Sequence, residues 1–153
     1  MKTLHTFLLL FLSLVTIAQA QQTDPEVLQR SINAKNFTFE ARQASGIRGR
    51  MIQIDAGYTL SVAPEKVVGD LPFFGRSFQG TPGMSDAGMK FEFGEYDYSV
   101  KPRKKGGWDL TLRAKGNSEV RSLFLTVQKT GAASLRIISN SRAGMSYSGF
   151  IKE

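Results

Sequence analysis

Residues 104–115, Lys-Lys-Gly-Gly-Trp-Asp-Leu-Thr-Leu-Arg-Ala-Lys, join a turn directly to a strand pattern. Apolar and polar residues alternate from Trp108 to Lys115, as they do in a strand with one face on a core. The segment from Tyr96 to Val100 has the same period, and Gly106-Gly107 supplies the turn chemistry that β-hairpins favour. The stretch therefore predicts a β-hairpin.

The same period of two recurs on both sides of this hairpin. It predicts strands at about residues 37–42, 51–55, 58–63, 89–93, 96–100, 108–115, 120–129, 134–139 and 145–152. One amphipathic helix at about 25–34 precedes them, with Thr23 or Asp24 as its cap and Pro25 in its first turn. Because most connections are too short for crossover helices, we expect a mainly β fold: an antiparallel barrel-like or sandwich sheet of about eight strands with one N-terminal helix.

Residues 71–93 contain the one long segment that does not alternate. It begins Leu-Pro-Phe-Phe-Gly-Arg-Ser-Phe and continues through several glycines and a second proline, which disfavour regular elements. Residues 64–70 are expected to form a compact crossover connection that leads into this segment. Its phenylalanines either plug the end of the core or contact a ligand, and we expect Phe73 or Phe74 to be largely buried.

Residues 1–20 have the features of a cleavable secretory signal. A basic start is followed by a short apolar run and ends in Ala18-Gln19-Ala20, which predicts cleavage after Ala20. We therefore expect an exported protein, periplasmic or secreted, in which residues 21–153 form a single β-rich domain. The apolar run is too short for a membrane span, so no transmembrane segment is expected after cleavage.

The predicted mature chain has neither histidine nor cysteine, because His5 is the only histidine and there is no cysteine. This composition excludes Ser-His-Asp and Cys-His catalysis, thiol redox chemistry, disulfides and zinc sites built on histidine and cysteine. We expect no enzyme, no cofactor and no metal.

The formal net charge is +7, of which Lys2 contributes one unit in the signal segment. A basic exported protein can meet anionic lipid or acidic glycan, whereas nucleic acid is not expected as a partner. Four cations between Lys101 and Lys105 could meet phosphate or sulfate groups, or could serve only solubility.

Three carboxylates, those of Glu92, Glu95 and Asp97, lie near the aromatic segment. A pair of carboxylates can hydrolyse glycosidic bonds, so a glycan hydrolase is the enzymatic alternative. The strand period places Glu92 and Asp97 opposite aromatic residues, however, and so on the solvent face. Acid catalysis needs a sheltered carboxylate, which makes a non-enzymatic module the favoured interpretation.

The favoured function is an exported, non-enzymatic module that binds a small apolar or acidic ligand at the mouth of the curved sheet. Protein–protein interaction or a structural role through an exposed aromatic loop is the alternative. Arg76 and Arg142 lie in turn-like segments, where an arginine either pairs with a carboxylate or is presented to an anion. The predicted ligand-binding residues are Phe73, Phe74, Arg76, Phe78, Tyr96, Tyr98, Trp108 and Arg142.

The sequence also resembles a known family. The segments that carry the resemblance are 71–78, Gly88-Met89-Lys90-Phe91, 131–135, Ser139-Asn140-Ser141-Arg142 and Ser146-Tyr147-Ser148-Gly149-Phe150-Ile151. In this order they are similar to a family of small exported Bacteroidetes proteins classed as domain of unknown function 4251. The resemblance implies a cell-envelope location and a mostly β fold, and it supplies no reaction, ligand or site residue.

Overall fold

A computed structural model describes residues 24–46, 49–75 and 88–152. The predicted signal segment, Arg76 and Phe78 lie outside these residues. The described residues form one helix and ten strands: α1 (Pro25–Asn33), β1 (Phe37–Ser45), β2 (Met51–Gln53), β3 (Thr59–Val62), β4 (Val67–Leu71), β5 (Met89–Phe93), β6 (Tyr96–Pro102), β7 (Trp108–Ala114), β8 (Val120–Val127), β9 (Ala132–Ser139) and β10 (Met145–Lys152). Within the described ranges, no helix is both long and apolar enough to cross a membrane.

All ten strands belong to one antiparallel sheet, in the order β5-β4-β3-β1-β10-β9-β8-β7-β6, with β2 paired to the end of β1. The edge strands β5 and β6 are consecutive in the chain and are separated only by Gly94 and Glu95. The sheet therefore curls until its two edges meet at one bend of the chain. This nearly closed barrel-like sheet confirms the predicted fold class.

Aromatic rings continue across the bend between the two edges. The Phe93 and Tyr96 rings meet edge to face with their centres 6.0 Å apart. Phe91 stacks on Phe93 on one side, and Tyr98 contacts Tyr96 on the other. Because inward-facing aromatic residues bury much apolar area, this row of rings helps to seal the seam where the backbone ladder is interrupted.

Helix α1 packs on the same core. Its Leu28 and Ile32 are fully buried with the barrel residues, and the carboxylate of Asp24 caps the helix by accepting a hydrogen bond from the Glu26 amide at 2.9 Å. The Tyr98 hydroxyl donates to the Ile32 carbonyl at 2.8 Å. The helix is thus fixed to β6 by a polar contact as well as by apolar packing.

The predicted crossover at residues 64–70 is wrong in its second half, where β4 begins at Val67. Val67 and Leu71 face the core, while Val68 and Asp70 are more exposed. Gly69 disguised the alternation, since glycine weakens a strand pattern. The lack of a side chain at Gly69 has a structural role, because the Phe91 ring on β5 lies over Gly69 and occupies the space that a Cβ would need.

Glu40 on β1 is a buried carboxylate with only 3% of its surface exposed. Its Oε1 lies 2.8 Å from Arg42 Nη2, and its Oε2 pairs with Lys152 Nζ on β10. The hydrogen bond from Lys152 and the nearby Arg42 charge hold the pKa of Glu40 below its usual range, although burial acts in the opposite direction. The ion pairs therefore favour the folded state wherever this carboxyl is ionised.

We expect Glu40→Gln to lower the free energy of unfolding by about 1–2 kcal/mol at pH 7. Because the pKa is lowered on folding, this contribution is present above the unfolded-state pKa and is lost as the pH falls through the folded-state value. Urea denaturation at pH 7, 5 and 3 measures the difference, which should shrink toward zero with acid. Glu92→Gln, which removes an exposed carboxylate 3.8 Å from Lys66 Nζ, should change little at any of these pH values. A difference for Glu40→Gln that does not vary with pH would contradict the assignment.

Candidate functional site

After β4 the structure describes residues 72–75, and the next described residue, Gly88, lies next to Leu71. A buried hydrogen bond fixes the start of this segment, because the Tyr147 hydroxyl on β10 donates to the Pro72 carbonyl at 2.8 Å. Burial raises the pKa of Tyr147 above its usual range. The phenol therefore stays protonated and remains a donor at neutral pH.

Arg142 contacts both Phe73 and Gly88, the described residues on either side of residues 76–87. Its guanidinium lies 5.2 Å from the centre of the Phe73 ring, its Nη1 donates to the Gly88 carbonyl at 3.4 Å, and its Nε is 2.7 Å from Glu119 Oε1. Of the two roles left open for this arginine, the structure shows the carboxylate pair.

The turn after β9 determines where Arg142 points. The Ser139 hydroxyl accepts hydrogen bonds from the amides of Ser141 and Arg142, both at 3.2 Å. It also donates to the Glu119 carbonyl at 3.1 Å. The same serine thereby ties the arginine's backbone to the segment that carries its carboxylate partner.

The two phenylalanines differ in exposure. Phe73 packs against the core beneath Arg142 and is partly buried, whereas 48% of Phe74 is exposed. We expected Phe73 or Phe74 to be largely buried. Phe73 is only partly buried and Phe74 is exposed, so neither ring is buried as fully as predicted. The reason is that Leu71, Met89 and Tyr147 already fill this end of the core.

The other predicted site residues lie elsewhere in the barrel. The Tyr96 hydroxyl donates to the Ala63 carbonyl at 2.6 Å, Tyr98 contacts α1, and Trp108 is buried in the core on β7. Burial raises the pKa of both tyrosines, and Lys35 Nζ lies 5.5 Å from the centre of the Tyr98 ring. These contacts attach the helix and the β3–β4 turn to β6.

The three predicted carboxylates point to solvent, as the strand period indicated for two of them. Glu92 pairs with Lys66, and Asp97 Oδ1 lies 2.7 Å from Lys115 Nζ. Across the described ranges, no group of three or more His, Cys, Asp or Glu side chains could hold a metal ion. These exposed carboxylates lack the sheltered environment that acid catalysis needs.

Sequence reasoning missed a groove on the outer face of the sheet. It is lined by Arg113, Ala114, Arg121, Ser122, Phe124 and Ile138. These residues are separate in sequence and meet through strand register, so no local motif marks them. The one usable signal is Phe124, an aromatic residue at an outward position of β8.

Fold and site together define a small, helix-covered and nearly closed antiparallel barrel with an aromatic segment held at one end. The chain belongs to the DUF4251 family, described as a domain of unknown function, whose model matches residues 19–151. This match confirms the resemblance seen in the sequence.

A solved structure supports the same fold. The crystal structure of a DUF4251 family protein from Bacteroides eggerthii DSM 20697 is similar with a TM-score of 0.66 and 18% sequence identity, covering 86% of this chain and 89% of that one. At this identity the similarity extends to the fold alone. No curated protein matches the sequence.

Proposed function

We propose that this protein is a non-enzymatic, exported cell-envelope module that binds an apolar or acidic ligand at the barrel end where Phe73 and Phe74 lie. The observation that carries the proposal is the exposure of Phe74, at 48%, on a segment whose base is held by buried contacts. An exposed aromatic ring beside the partly buried Phe73, on a segment held by a buried hydrogen bond, is a suitable anchor for a bound molecule.

The contacts that hold this segment in place support binding. Tyr147 fixes Pro72, Arg142 covers Phe73, and a Cβ on Gly75 would lie 2.7 Å from the Phe73 ring. A surface that is already ordered loses little conformational entropy on binding, so more of the contact energy appears as affinity. Arg142 lies beside these rings and is already paired with Glu119, so the surface that this end offers to a ligand is mainly apolar.

A protein partner is the second candidate, and the position of Met51 favours it. Met51 is 65% exposed and pairs with Ser45 at the end of β1. Phe74 lies near the same end of β1. Its carbonyl oxygen is 3.8 Å from the point where a Cβ on Gly46, the residue after Ser45, would lie. Two exposed apolar side chains flank this end of β1, and such a rim resembles the anchors of protein interfaces.

The export proposal rests on the signal-like residues 1–20. We propose no reaction because the three carboxylates weighed for catalysis are exposed, and two of them, Glu92 and Asp97, pair with lysines. The export proposal predicts that intact mass spectrometry of the protein from its native cells will give a chain beginning at Gln21. A mature chain that retains Met1 would contradict the proposed cleavage.

Native mass spectrometry of the protein purified from its own envelope tests the binding proposal. The ligand version predicts an additional small mass that leaves on collisional activation. The partner version predicts a hetero-oligomer. A bare monomer, or a homo-oligomer with no bound molecule, would contradict both.

A further inference from the structure

The outer-face groove is a second place on this barrel where a ligand would fit. It has a volume of about 420 Å³, within the range of roughly 300–1,000 Å³ that is usual for small-molecule sites. Its walls come from β7, β8 and β9. It lies on the solvent side of the sheet, so it is independent of the proposed function at the Phe74 end.

A β-bulge in β8 builds the groove. The β8–β9 register shifts between Val120, which pairs with Ser139, and Ser122, which pairs with Ile138. Val120 and Leu123 face the core, so the intervening Arg121 and Ser122 both line the outer groove. Bulges often re-aim side chains in this way at functional positions.

The groove carries positive charge that no described carboxylate pairs with. Among the described residues, no carboxylate lies within ion-pair distance of Arg113 or Arg121. Asp97 is opposite Arg113 in the β6–β7 register but is paired with Lys115. Arg136 on β9 adds a third cation directly opposite Phe124.

The floor of the groove offers an apolar platform beside these cations. Phe124 is 37% exposed, and Ile138 and Ala114 continue the apolar surface. The Ser122 side chain supplies a hydroxyl between Arg113 and Ile138 in the strand register. A bare inorganic anion would use the arginines only and would leave this surface unoccupied.

We propose that this groove is a binding site for an acidic saccharide, meaning a sugar ring that bears a carboxylate or sulfate. The guanidinium groups of Arg113 and Arg121 match such groups with paired N–H donors. The C–H face of a sugar ring suits the Phe124 ring, and Ser122 suits a ring hydroxyl. The volume accommodates one or two rings.

The test is a calorimetric titration of the full mature chain with digalacturonic acid and with a sulfated heparin disaccharide, with lactose and sodium sulfate as comparison ligands. We expect at least one acidic disaccharide to bind, and to bind more weakly as salt increases. Arg113→Gln/Arg121→Gln should weaken binding at least about tenfold, and Phe124→Ala should weaken it several-fold. Lys104→Gln/Lys105→Gln removes the same charge at the β6–β7 turn and should leave binding unchanged.

Three outcomes would overturn the proposal. The first is that neither acidic disaccharide binds. The second is that the lysine double variant weakens binding as much as the arginine double variant, which would indicate a general charge effect. The third is that sodium sulfate binds as tightly as the disaccharides and Phe124→Ala has no effect, which would indicate an inorganic anion site. Because all the substituted side chains are exposed, equal urea midpoints for the variants should show that the fold is retained.

Discussion

Gly149→Ala is expected to destabilise the fold more than any other small substitution considered for this chain, by about 3 kcal/mol or more. A Cβ at this position would overlap the Glu40 carbonyl oxygen and lie 3.0 Å from Ala41 Cα. Both obstacles are backbone atoms of β1, so no side-chain rotation can relieve the clash. The two strands would have to separate.

That separation would affect the whole sheet. The β1–β10 ladder joins the β3-β4-β5 half of the barrel to the β9-β8-β7-β6 half. Its register shifts between Ala41 and Gln43, directly beside Gly149. A residue without a side chain is therefore needed where the bulged strand approaches its neighbour most closely.

Urea denaturation measures this effect, and Gly46→Ala is the matched control. The nearest atoms to a Cβ on Gly46 are 3.8 Å away, which is an ordinary contact, so this variant should be neutral or slightly stabilised. Equal stability of the two variants would show that the strands at Gly149 can move apart without cost.

Tyr147→Ala is the second large effect expected, at about 3–5 kcal/mol, because it removes one of the largest fully buried side chains. Tyr147→Phe separates the hydrogen bond from the packing. It keeps the ring but leaves the buried Pro72 carbonyl without its donor, at a cost of about 1 kcal/mol. We also expect it to loosen the Phe73–Phe74 segment.

Limited chymotrypsin digestion, with urea denaturation in parallel, measures this second prediction. Tyr147→Phe should be cleaved faster than wild type at Phe73 or Phe74. Tyr58→Phe removes the hydroxyl of a partly buried tyrosine that makes no side-chain hydrogen bond to a described residue, and it should behave as wild type. Unchanged stability and cleavage in Tyr147→Phe would mean that this bond does not hold the segment.

The sequence was sufficient for those parts of the fold that depend on neighbouring residues. The β6–β7 hairpin, the cap of α1 and the outward direction of Glu92 and Asp97 follow from turn chemistry and a period of two. β4 was missed because Gly69 carries no side chain where the Phe91 ring packs. Local pattern cannot show that a ring from another strand fills that space.

The candidate sites were less predictable for a related reason. Tyr147 and Pro72 are 75 positions apart, and the Arg142–Glu119 pair also joins separate turns. The outer groove depends on a bulge that moves Arg121 and Ser122 to one face, and bulges shift register without leaving a residue signature. Contacts of this kind are fixed by the closed sheet, so they become visible only when its strand order is known.

The central claim is that the exposed Phe74 end of the barrel is a binding surface. Native mass spectrometry of wild type, Phe74→Ser and Phe150→Ser, each purified from native cells, tests it most directly. Phe150→Ser is the matched control, because it removes the same kind of ring from the outer face of the sheet. Phe150 lies on β10 and is 53% exposed. We predict a bound small molecule or partner on wild type and Phe150→Ser, and its loss from Phe74→Ser. A wild type that carries nothing, or two variants that retain the bound mass equally, would contradict the claim.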